Sequence, residues 1–173
     1  MNIILTGFMG TGKTAVGKRL AKRLGWRFTD VDELIEASAK KSVTAIFAQH
    51  GERVFRRLER RMIRQVTRGS EQVIATGGGA FIDERNRARL RVSGPVICFT
   101  ARPRTVLARV KPRLETRPLL RGSSDPLSTI RALLRQRTGA YAKADVTLDT
   151  SDLSVDEVVD RLWKKLSPYV CRS

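Results

Sequence analysis

Several residue types that support particular chemistries are scarce in this chain of 173 residues. It contains two cysteines, Cys98 and Cys171, and a single histidine, His50. Cys98 lies in an apolar run and Cys171 in the C-terminal tail, so the sequence predicts free thiols rather than a disulfide scaffold. One histidine argues against metal sites built from several histidines, and it would have to be the base of any Ser-His-Asp triad.

Long apolar runs are also missing. No run approaches the roughly 18 residues that a membrane-spanning helix needs. The first ten residues lack a basic leader and a cleavage site of small residues. We therefore expect a cytoplasmic protein without a membrane association, in a compartment that keeps thiols reduced.

Basic residues, by contrast, are in large excess. Lys and Arg total 34 and Asp and Glu total 17, which gives a formal net charge of +17. Such a surface attracts polyanions, including nucleotides, phosphorylated metabolites and nucleic acids. The basic residues are spread over helical stretches, only 6% of residues are aromatic, and no nucleic-acid-binding motif with defined spacing is present. We do not expect nucleic acid binding to be the main role.

Five short apolar segments alternate with stretches of helical periodicity, which predicts one α/β domain over residues 1–173. Strands separated by helices indicate parallel pairing, hence a three-layer sandwich that binds ligands at the carboxyl ends of its strands. Asp125 with Pro126 predicts a helix start, as does the capping box of Ser154 and Glu157. Segment 111–125 has no clear period, and we expect it to be mobile. The predicted strands are 2–6, 27–30, 72–76, 95–100 and 144–148, and the clearest predicted helices are 14–24 and 53–67.

The most specific motif follows the first predicted strand. Residues 7–14 have the pattern Gly, four residues of any type, Gly, Lys and Thr, and a helix follows them. The glycines let main-chain amides surround phosphate oxygens, Lys13 reaches the β- and γ-phosphates, and the Thr14 hydroxyl ligates Mg²⁺. The motif predicts a mononucleotide site formed by Gly10, Thr11, Gly12, Lys13, Thr14 and Ala15.

Two further patterns bear charged side chains. Asp30 and Asp32 end the second predicted strand, where alternate residues share a face, so we expect both carboxylates in the ligand crevice. The alternative is a strand-end turn with a helix cap at Asp32. Arg56 and Glu59 are three residues apart on a helix, so Glu59 either orients the guanidinium toward a ligand carboxylate or forms an ordinary helix salt bridge.

Gly77, Gly78 and Gly79 come directly after the third predicted strand. Three glycines there remove every side chain and offer bare amides to a small ligand. A purely structural tight turn is the alternative.

Together these residues resemble the shikimate kinase family. The resemblance extends in order over about residues 2–166. It implies a nucleoside-monophosphate-kinase-like fold with a five-stranded parallel sheet in the order 2-3-1-4-5 and a mobile lid. It also implies transfer of the γ-phosphoryl group of ATP to the 3-hydroxyl of shikimate. The matching motifs are the P-loop, Phe28-x-Asp30-x-Asp32, Gly51-Glu52-x-x-Phe55-Arg56-x-x-Glu59, the triple glycine, Arg117-Pro118-Leu119-Leu120, and Arg137 with Tyr141.

The same resemblance implies a role for each site residue. Asp32 would contact the hydroxyls of shikimate, and Arg56 and Arg137 its carboxylate. Helical segment 32–62 would form the substrate-binding part, and 111–125 the lid. The implied catalytic residues are Lys13, Asp32 and Arg117. Shikimate would also contact Gly77, Gly78 and Gly79, and Mg²⁺ would be held by Thr14 and, through water, by Asp30. Arg109 would pack on adenine, and Arg117 would reach ATP from the lid.

Two positions depart from the family pattern. The family often has Pro two residues after the arginine, where this chain has Gly139, so Arg137 is expected to be less rigidly placed. It also often has Gly just before the helix that starts near Ser42, where this chain has Lys40 and Lys41. The start of that helix is therefore expected to differ.

Two alternatives stay open at this point. One is a P-loop kinase of another small hydroxy acid, such as gluconate, or of a nucleoside monophosphate. The other is a nucleotide-dependent nucleic-acid-binding module that uses the basic surface. We expect a monomer with ATP and Mg²⁺ as cofactors and shikimate as substrate.

Overall fold

The computed structural model describes residues 1–170, so Cys171 lies outside the described residues. Its centre is one sheet of five parallel strands in the order β2-β3-β1-β4-β5. This order confirms the topology that the family resemblance implies. The strands are β1 (Ile3–Gly7), β2 (Arg27–Asp30), β3 (Gln72–Ala75), β4 (Val96–Thr100) and β5 (Val146–Asp149).

Helices cover both faces of the sheet, because successive residues of its inner strands point to opposite sides and are apolar on both. On β1, Ile4 packs in one buried cluster with Phe8 and Ile63, whereas Ile3 and Leu5 pack in the other. The result is the expected three-layer sandwich. The helices are α1 (Lys13–Leu24), α2 (Val31–Ala39), α3 (Val43–Val66), α4 (Glu84–Ser93), α5 (Pro103–Val110), α6 (Pro126–Tyr141) and α7 (Val155–Val170), with a 3-10 helix at Lys111–Thr116.

The predicted helix starts are confirmed at both capping sequences. The Asp125 carboxylate accepts a hydrogen bond from the Ser128 main-chain N–H at 3.0 Å and begins α6. Ser154 and Glu157 exchange hydrogen bonds at the start of α7, since the Glu157 carboxylate accepts from the Ser154 N–H at 2.8 Å. At the start of both helices, a side-chain oxygen accepts a hydrogen bond from a main-chain amide that would otherwise be unpaired.

The expectation that Asp30 and Asp32 share a strand face is wrong. β2 ends at Asp30, whose carboxylate caps α2 by accepting the Asp32 N–H at 3.0 Å. Asp32 therefore lies in the first turn of a helix, and the cap residue is Asp30, not Asp32. The strand pattern could not reveal this, because an Asp at the end of a strand serves equally well as a helix N-cap.

Two other segments also differ in detail from the predictions. The helical pattern at 53–67 is the second half of the longer α3, which bends at Gly51 with φ 76°. Segment 111–125 is not free of structure, since it begins with the 3-10 helix and buries Leu120 in the core. Its mobility stays a prediction.

Among residues 1–170, no helix combines the length and the apolar character needed to cross a bilayer.

Candidate active site

A cleft of about 780 Å³ opens where the carboxyl ends of β1, β2 and β3 meet. Its lining includes all the predicted site residues except Thr11. Thr11 is buried within the P-loop, where its hydroxyl donates to the Phe8 carbonyl at 2.8 Å. The predicted nucleotide and acceptor residues are therefore parts of one cavity.

The P-loop has the backbone that its glycines permit. Gly7, Gly10 and Gly12 have φ values of 126°, 73° and 92°, a region that side chains disfavour. Lys13 folds across the loop and donates to the carbonyls of Gly7 and Phe8, both at 2.8 Å. Burial lowers the pKa of Lys13 to about 8, although Asp32 and Asp30 act to raise it. The loop thus holds a cation whose charge lacks the stabilisation of bulk water.

The Thr14 hydroxyl and the Asp30 carboxylate form a pair of hard oxygen donors. Thr14 Oγ1 lies 3.0 Å from Asp30 Oδ2, at the meeting point of α1 and the end of β2. Hydroxyl and carboxylate oxygens are the donors that Mg²⁺ prefers, usually together with substrate phosphates and water. The donor chemistry of this pair fits that ion.

Asp32 is the most perturbed carboxylate of the cleft. Its Oδ1 is buried without a hydrogen-bond partner among the described residues. Burial raises the pKa of Asp32 to about 6, and the nearby Asp30 adds to the increase, while Lys13 and Arg117 oppose it. A buried, unpaired acceptor in a cleft is a common sign of a group reserved for a substrate.

Arg56 is held by two acidic residues on its own helix. Its guanidinium donates to both carboxylate oxygens of Glu59, at 3.1 and 2.9 Å, and to Glu52 at 2.9 Å. Glu59 is fully buried, and burial raises its pKa to about 7 although Arg56 acts against this. The predicted Arg56 and Glu59 contact is thus present, and it points the guanidinium toward the triple glycine.

Each glycine of the triplet faces a different charged side chain. A Cβ on Gly77 would lie 3.0 Å from Asp32 Oδ1, and one on Gly78 would lie 3.0 Å from an Arg137 guanidinium nitrogen. A Cβ on Gly79 would come within 2.6 Å of Arg56 Cζ. Side chains at these positions would therefore fill the space beside Asp32, Arg137 and Arg56. This favours a ligand-binding role for the three glycines over a purely structural turn.

Helix α6 brings Arg137 and Tyr141 to the same corner. Arg137 is buried, with its guanidinium 5.1 Å from the centre of the Phe8 ring. The Tyr141 hydroxyl donates to the Gly78 carbonyl at 2.6 Å. α6 continues through Gly139 to Tyr141, so the Arg137 backbone is helical without the proline that the family often has.

Sequence comparison identifies the family. A model of the shikimate kinase family matches residues 9–167. A shikimate kinase from Geobacter sulfurreducens is 48% identical over 161 residues, which cover 93% of this chain and 88% of that protein. The chain belongs to the shikimate kinase family. It is an ATP-dependent kinase of shikimate.

Solved structures agree with this membership. A shikimate kinase from Acinetobacter baumannii in complex with shikimate has a TM-score of 0.90 and 35% identity, covering 96% of this chain and 93% of that one. A gluconokinase from Sinorhizobium meliloti has a TM-score of 0.60 and 17% identity, which shows a shared fold only. The comparisons support neither the gluconate kinase nor the nucleic-acid-binding alternative.

The two arginines nearest the expected nucleotide differ in their surroundings. Arg117 follows the 3-10 helix, and its Nε is buried without a partner among the described residues. Arg109 is held by main-chain carbonyls instead, donating to Thr150 at 2.6 Å and to Gly10 at 3.3 Å. Both line the cleft of this shikimate kinase family member, but of the two only Arg117 has a buried nitrogen without a partner among the described residues.

Three residues of the site have no signal in the sequence. Phe8 lies under Arg137, yet the P-loop pattern allows any residue at that position. Glu36 lines the cleft and accepts the Val43 N–H at 2.8 Å, which ties α2 to α3. Thr150 is buried and donates to the Thr11 carbonyl at 3.1 Å, which supports the P-loop from the end of β5. Their roles depend on contacts between distant segments.

Proposed function

We propose that transfer from ATP to the 3-hydroxyl of shikimate takes place between Lys13, Asp32 and Arg117. The observation that carries this proposal is the placement of Gly77, Gly78 and Gly79 opposite Asp32, Arg137 and Arg56. The cleft of about 780 Å³ that contains this corner has room for a small ring, and the corner offers two guanidinium groups and one carboxylate. A small hydroxylated carboxylic acid has the complementary groups.

Shikimate binds with its carboxylate on Arg56 and Arg137 and its hydroxyls toward Asp32. Glu59 and Glu52 hold Arg56 in place, and the ring of Phe8 supports Arg137. Because both guanidinium groups are already oriented, little side-chain freedom is lost when the acid binds. Segment 32–62, which spans α2 and most of α3, is the substrate-binding part of a single domain.

ATP binds on the P-loop, with main-chain amides of residues 10–15 around its phosphates. Lys13 then exchanges its two carbonyl partners for phosphate oxygens, which is favourable because a buried cation gains a full negative charge. Arg117 adds a second positive charge with its unpaired Nε. Arg109 packs on adenine from its position beside Gly10 and Thr150.

The Thr14 hydroxyl would hold Mg²⁺, and the Asp30 carboxylate would support the ion through water. When bound, the ion neutralises charge that develops on the transferred group. The fit is supported by the 3.0 Å approach of Thr14 Oγ1 to Asp30 Oδ2.

Asp32 orients the 3-hydroxyl and accepts its proton. The hydroxyl oxygen forms a bond to the γ-phosphorus as the bond from that phosphorus to the bridging oxygen of ADP breaks, and the proton passes to the Asp32 carboxylate. Phosphoryl transfer needs positioning and positive charge more than a strong base, so a carboxylate with a pKa of about 6 suffices. Segment 111–125 closes over the nucleotide and keeps water from competing with the hydroxyl.

We further propose that the chain acts as a monomer in the cytoplasm. The P-loop residues and Asp32, Arg56 and Arg137 supply the predicted nucleotide and shikimate contacts within one cleft, which supports a site that needs no residue from a partner. Size-exclusion chromatography with light scattering at micromolar concentration tests the monomer, and a dimer peak contradicts it.

A coupled assay that follows ADP release tests the assignment of roles. Lys13→Met and Asp32→Asn are expected to lower kcat by about 10³-fold or more, since each removes a group that acts in the transition state. Arg56→Ala is expected to raise the KM for shikimate by at least tenfold with a smaller change in the KM for ATP. Arg64→Ala, an exposed arginine on the same helix, controls for the lost charge and should behave as wild type.

The assay also separates this proposal from other acceptors. With gluconate in place of shikimate, we expect ADP release no faster than the enzyme's ATP hydrolysis without any acceptor. Near-wild-type turnover by Lys13→Met or Asp32→Asn contradicts the assigned roles, even if shikimate remains the substrate.

A further inference from the structure

A second concave surface lies between the start of α5 and the exposed face of α6. It consists of two adjoining hollows of about 500 and 520 Å³. Both hollows are bounded by Pro103 and Arg131, so they form one continuous groove, which we name the α5–α6 groove. Each hollow has the volume of an ordinary small-molecule site.

The groove is lined by several guanidinium groups. Arg104 lies on the α5 side, and Arg131 and Arg135 lie one turn apart on α6. Among the described residues, these three arginines have no ion pair or hydrogen bond, whereas the neighbouring Arg102 pairs with Asp152. Three guanidinium groups without an ion pair or hydrogen bond therefore face one groove, and Arg131 also interacts electrostatically with the Asp125 carboxylate.

The carboxylates near the groove are already committed. Asp152 pairs with Arg102, and Asp125 caps α6 by accepting the Ser128 N–H. The pKa of Asp125 is lowered mainly by its hydrogen bonds from Ser128, with a smaller effect of Arg131. No carboxylate of the described residues would therefore compete with an added anion for Arg104 and Arg135.

The groove has both apolar and polar lining residues. Pro103 and Leu134 contribute hydrocarbon surface, and the hydroxyl-bearing side chains of Ser128 and Thr138 bound one hollow. A guanidinium fork binds carboxylate and phosphate with two parallel hydrogen bonds. The arrangement fits a small organic molecule that bears two or more such groups on a short carbon skeleton.

The groove is distinct from the catalytic cleft. None of its lining residues lines the cleft at the P-loop. Arg137 lines the catalytic cleft but points to another side of α6 than Arg135. Residues two positions apart on a helix are about 200° apart around its axis, and Arg135 is exposed while Arg137 is buried. A ligand in the groove would therefore leave the shikimate corner free.

We propose that the α5–α6 groove binds a small organic polyanion, either a polycarboxylate or a sugar bisphosphate. Arg104, Arg131 and Arg135 supply the charge, and Pro103 and Leu134 contact the carbon skeleton. Since segment 111–125 connects α5 to α6, the ligand bridges the two helices that flank that segment.

Nuclear magnetic resonance titration of the isotope-labelled full chain tests this site directly, since it locates binding residue by residue. Citrate serves as the polycarboxylate probe and fructose 1,6-bisphosphate as the bisphosphate probe, each at 150 mM NaCl. We expect saturable shifts of amide and arginine side-chain signals at residues 102–105 and 128–138 for one probe or both. Signals of residues 10–15 report any separate binding to the P-loop.

A pair of matched double variants supplies the control. R131A/R135A and R85A/R89A each remove two exposed arginines one turn apart on a helix, so both lower the net charge equally. We expect R131A/R135A to raise the Kd at least tenfold and R85A/R89A to change it less than twofold. Equal effects of the two variants, shifts spread over all surface arginines, or no saturation by 20 mM of either probe would each overturn the proposal.

Discussion

The hydroxyl of Thr44 donates a hydrogen bond to the main-chain carbonyl of Thr116, with 3.0 Å between the two oxygens. Thr44 lies in the first turn of α3, and Thr116 ends the 3-10 helix of the proposed lid, 72 residues later in the chain. Among the described residues, this is the hydrogen bond that links segment 111–125 to α3. One side-chain hydrogen bond therefore connects the substrate-binding part to the lid, beside the apolar packing of Leu114 and Leu120 in the core.

Replacing Thr44 should weaken closure of the lid without disturbing the fold. We expect Thr44→Val to lower kcat/KM about fivefold, because one hydrogen bond contributes about 1 kcal/mol. ATP hydrolysis without shikimate should rise relative to transfer. Thr44→Ser keeps the hydroxyl and should restore both values, and thermal melting checks the fold. Identical kinetics for the valine and serine variants would contradict a role for this contact.

The dependence of kcat/KM on pH should have two limbs. Asp32 must be ionised to accept a proton, and its pKa is about 6, so activity should fall tenfold per unit as the pH drops below that value. Lys13 must be charged, and burial lowers its pKa to about 8, so activity should also fall as the pH rises above 8.

Two variants assign these limbs in steady-state measurements from pH 5 to 10. Protonation of ATP lowers the activity of both proteins equally at acidic pH. The residual activity of Asp32→Asn should show only that decrease and should lose the additional decrease caused by protonation of Asp32. Lys13→Arg keeps its charge at every pH and should lose the alkaline limb. Unchanged limbs in both variants would show that other groups titrate.

Lys40 occupies a backbone conformation that suits glycine. It ends α2 with φ 52° and ψ 33°, in the left-handed region. A lysine there costs about 1 kcal/mol relative to glycine, so Lys40→Gly should raise the melting temperature by about 2–4 °C. Lys41→Gly, next along the chain but outside that conformation, should not stabilise the protein. Calorimetry that gave no increase for Lys40→Gly would refute the backbone argument.

A methyl group at Gly79 should interfere with shikimate binding alone. Its Cβ would lie within 2.6 Å of Arg56 Cζ, so Gly79→Ala must displace the guanidinium from its position. We expect the KM for shikimate to rise at least tenfold with little change for ATP. Gly139→Ala is the matched control: it has open space around its Cβ, and it should stabilise α6 by about 0.5–1 kcal/mol. An unchanged KM for shikimate in Gly79→Ala would contradict a role of the triple glycine in substrate binding.

Local patterns predicted much of this protein because they report local physics. The P-loop, the five apolar strand segments, and the caps at Asp125 and Ser154 each depend on residues a few positions apart. The strand assignment of Asp32 was wrong for the same reason, since strand alternation and a helix cap share one local sequence. Only the structure shows that the chain turns into α2 directly after Asp30.

Contacts between distant segments were beyond such patterns. Phe8 under Arg137 and Thr150 behind Thr11 join residues more than a hundred positions apart. Neither residue type predicts its partner, because the pairing depends on how helices and loops pack on the sheet.

By itself, the sequence determined the nucleotide loop, the alternation of strands and helices, and the family, because glycine placement, periodicity and motif order are written along the chain. The tertiary structure decided which charges share a cavity. It buries Asp32 and Lys13 together and so moves their pKa values, it places the triple glycine against Arg56 and Arg137, and it leaves Arg104, Arg131 and Arg135 around a separate groove. These are effects of desolvation and proximity, and both arise only when the chain is folded.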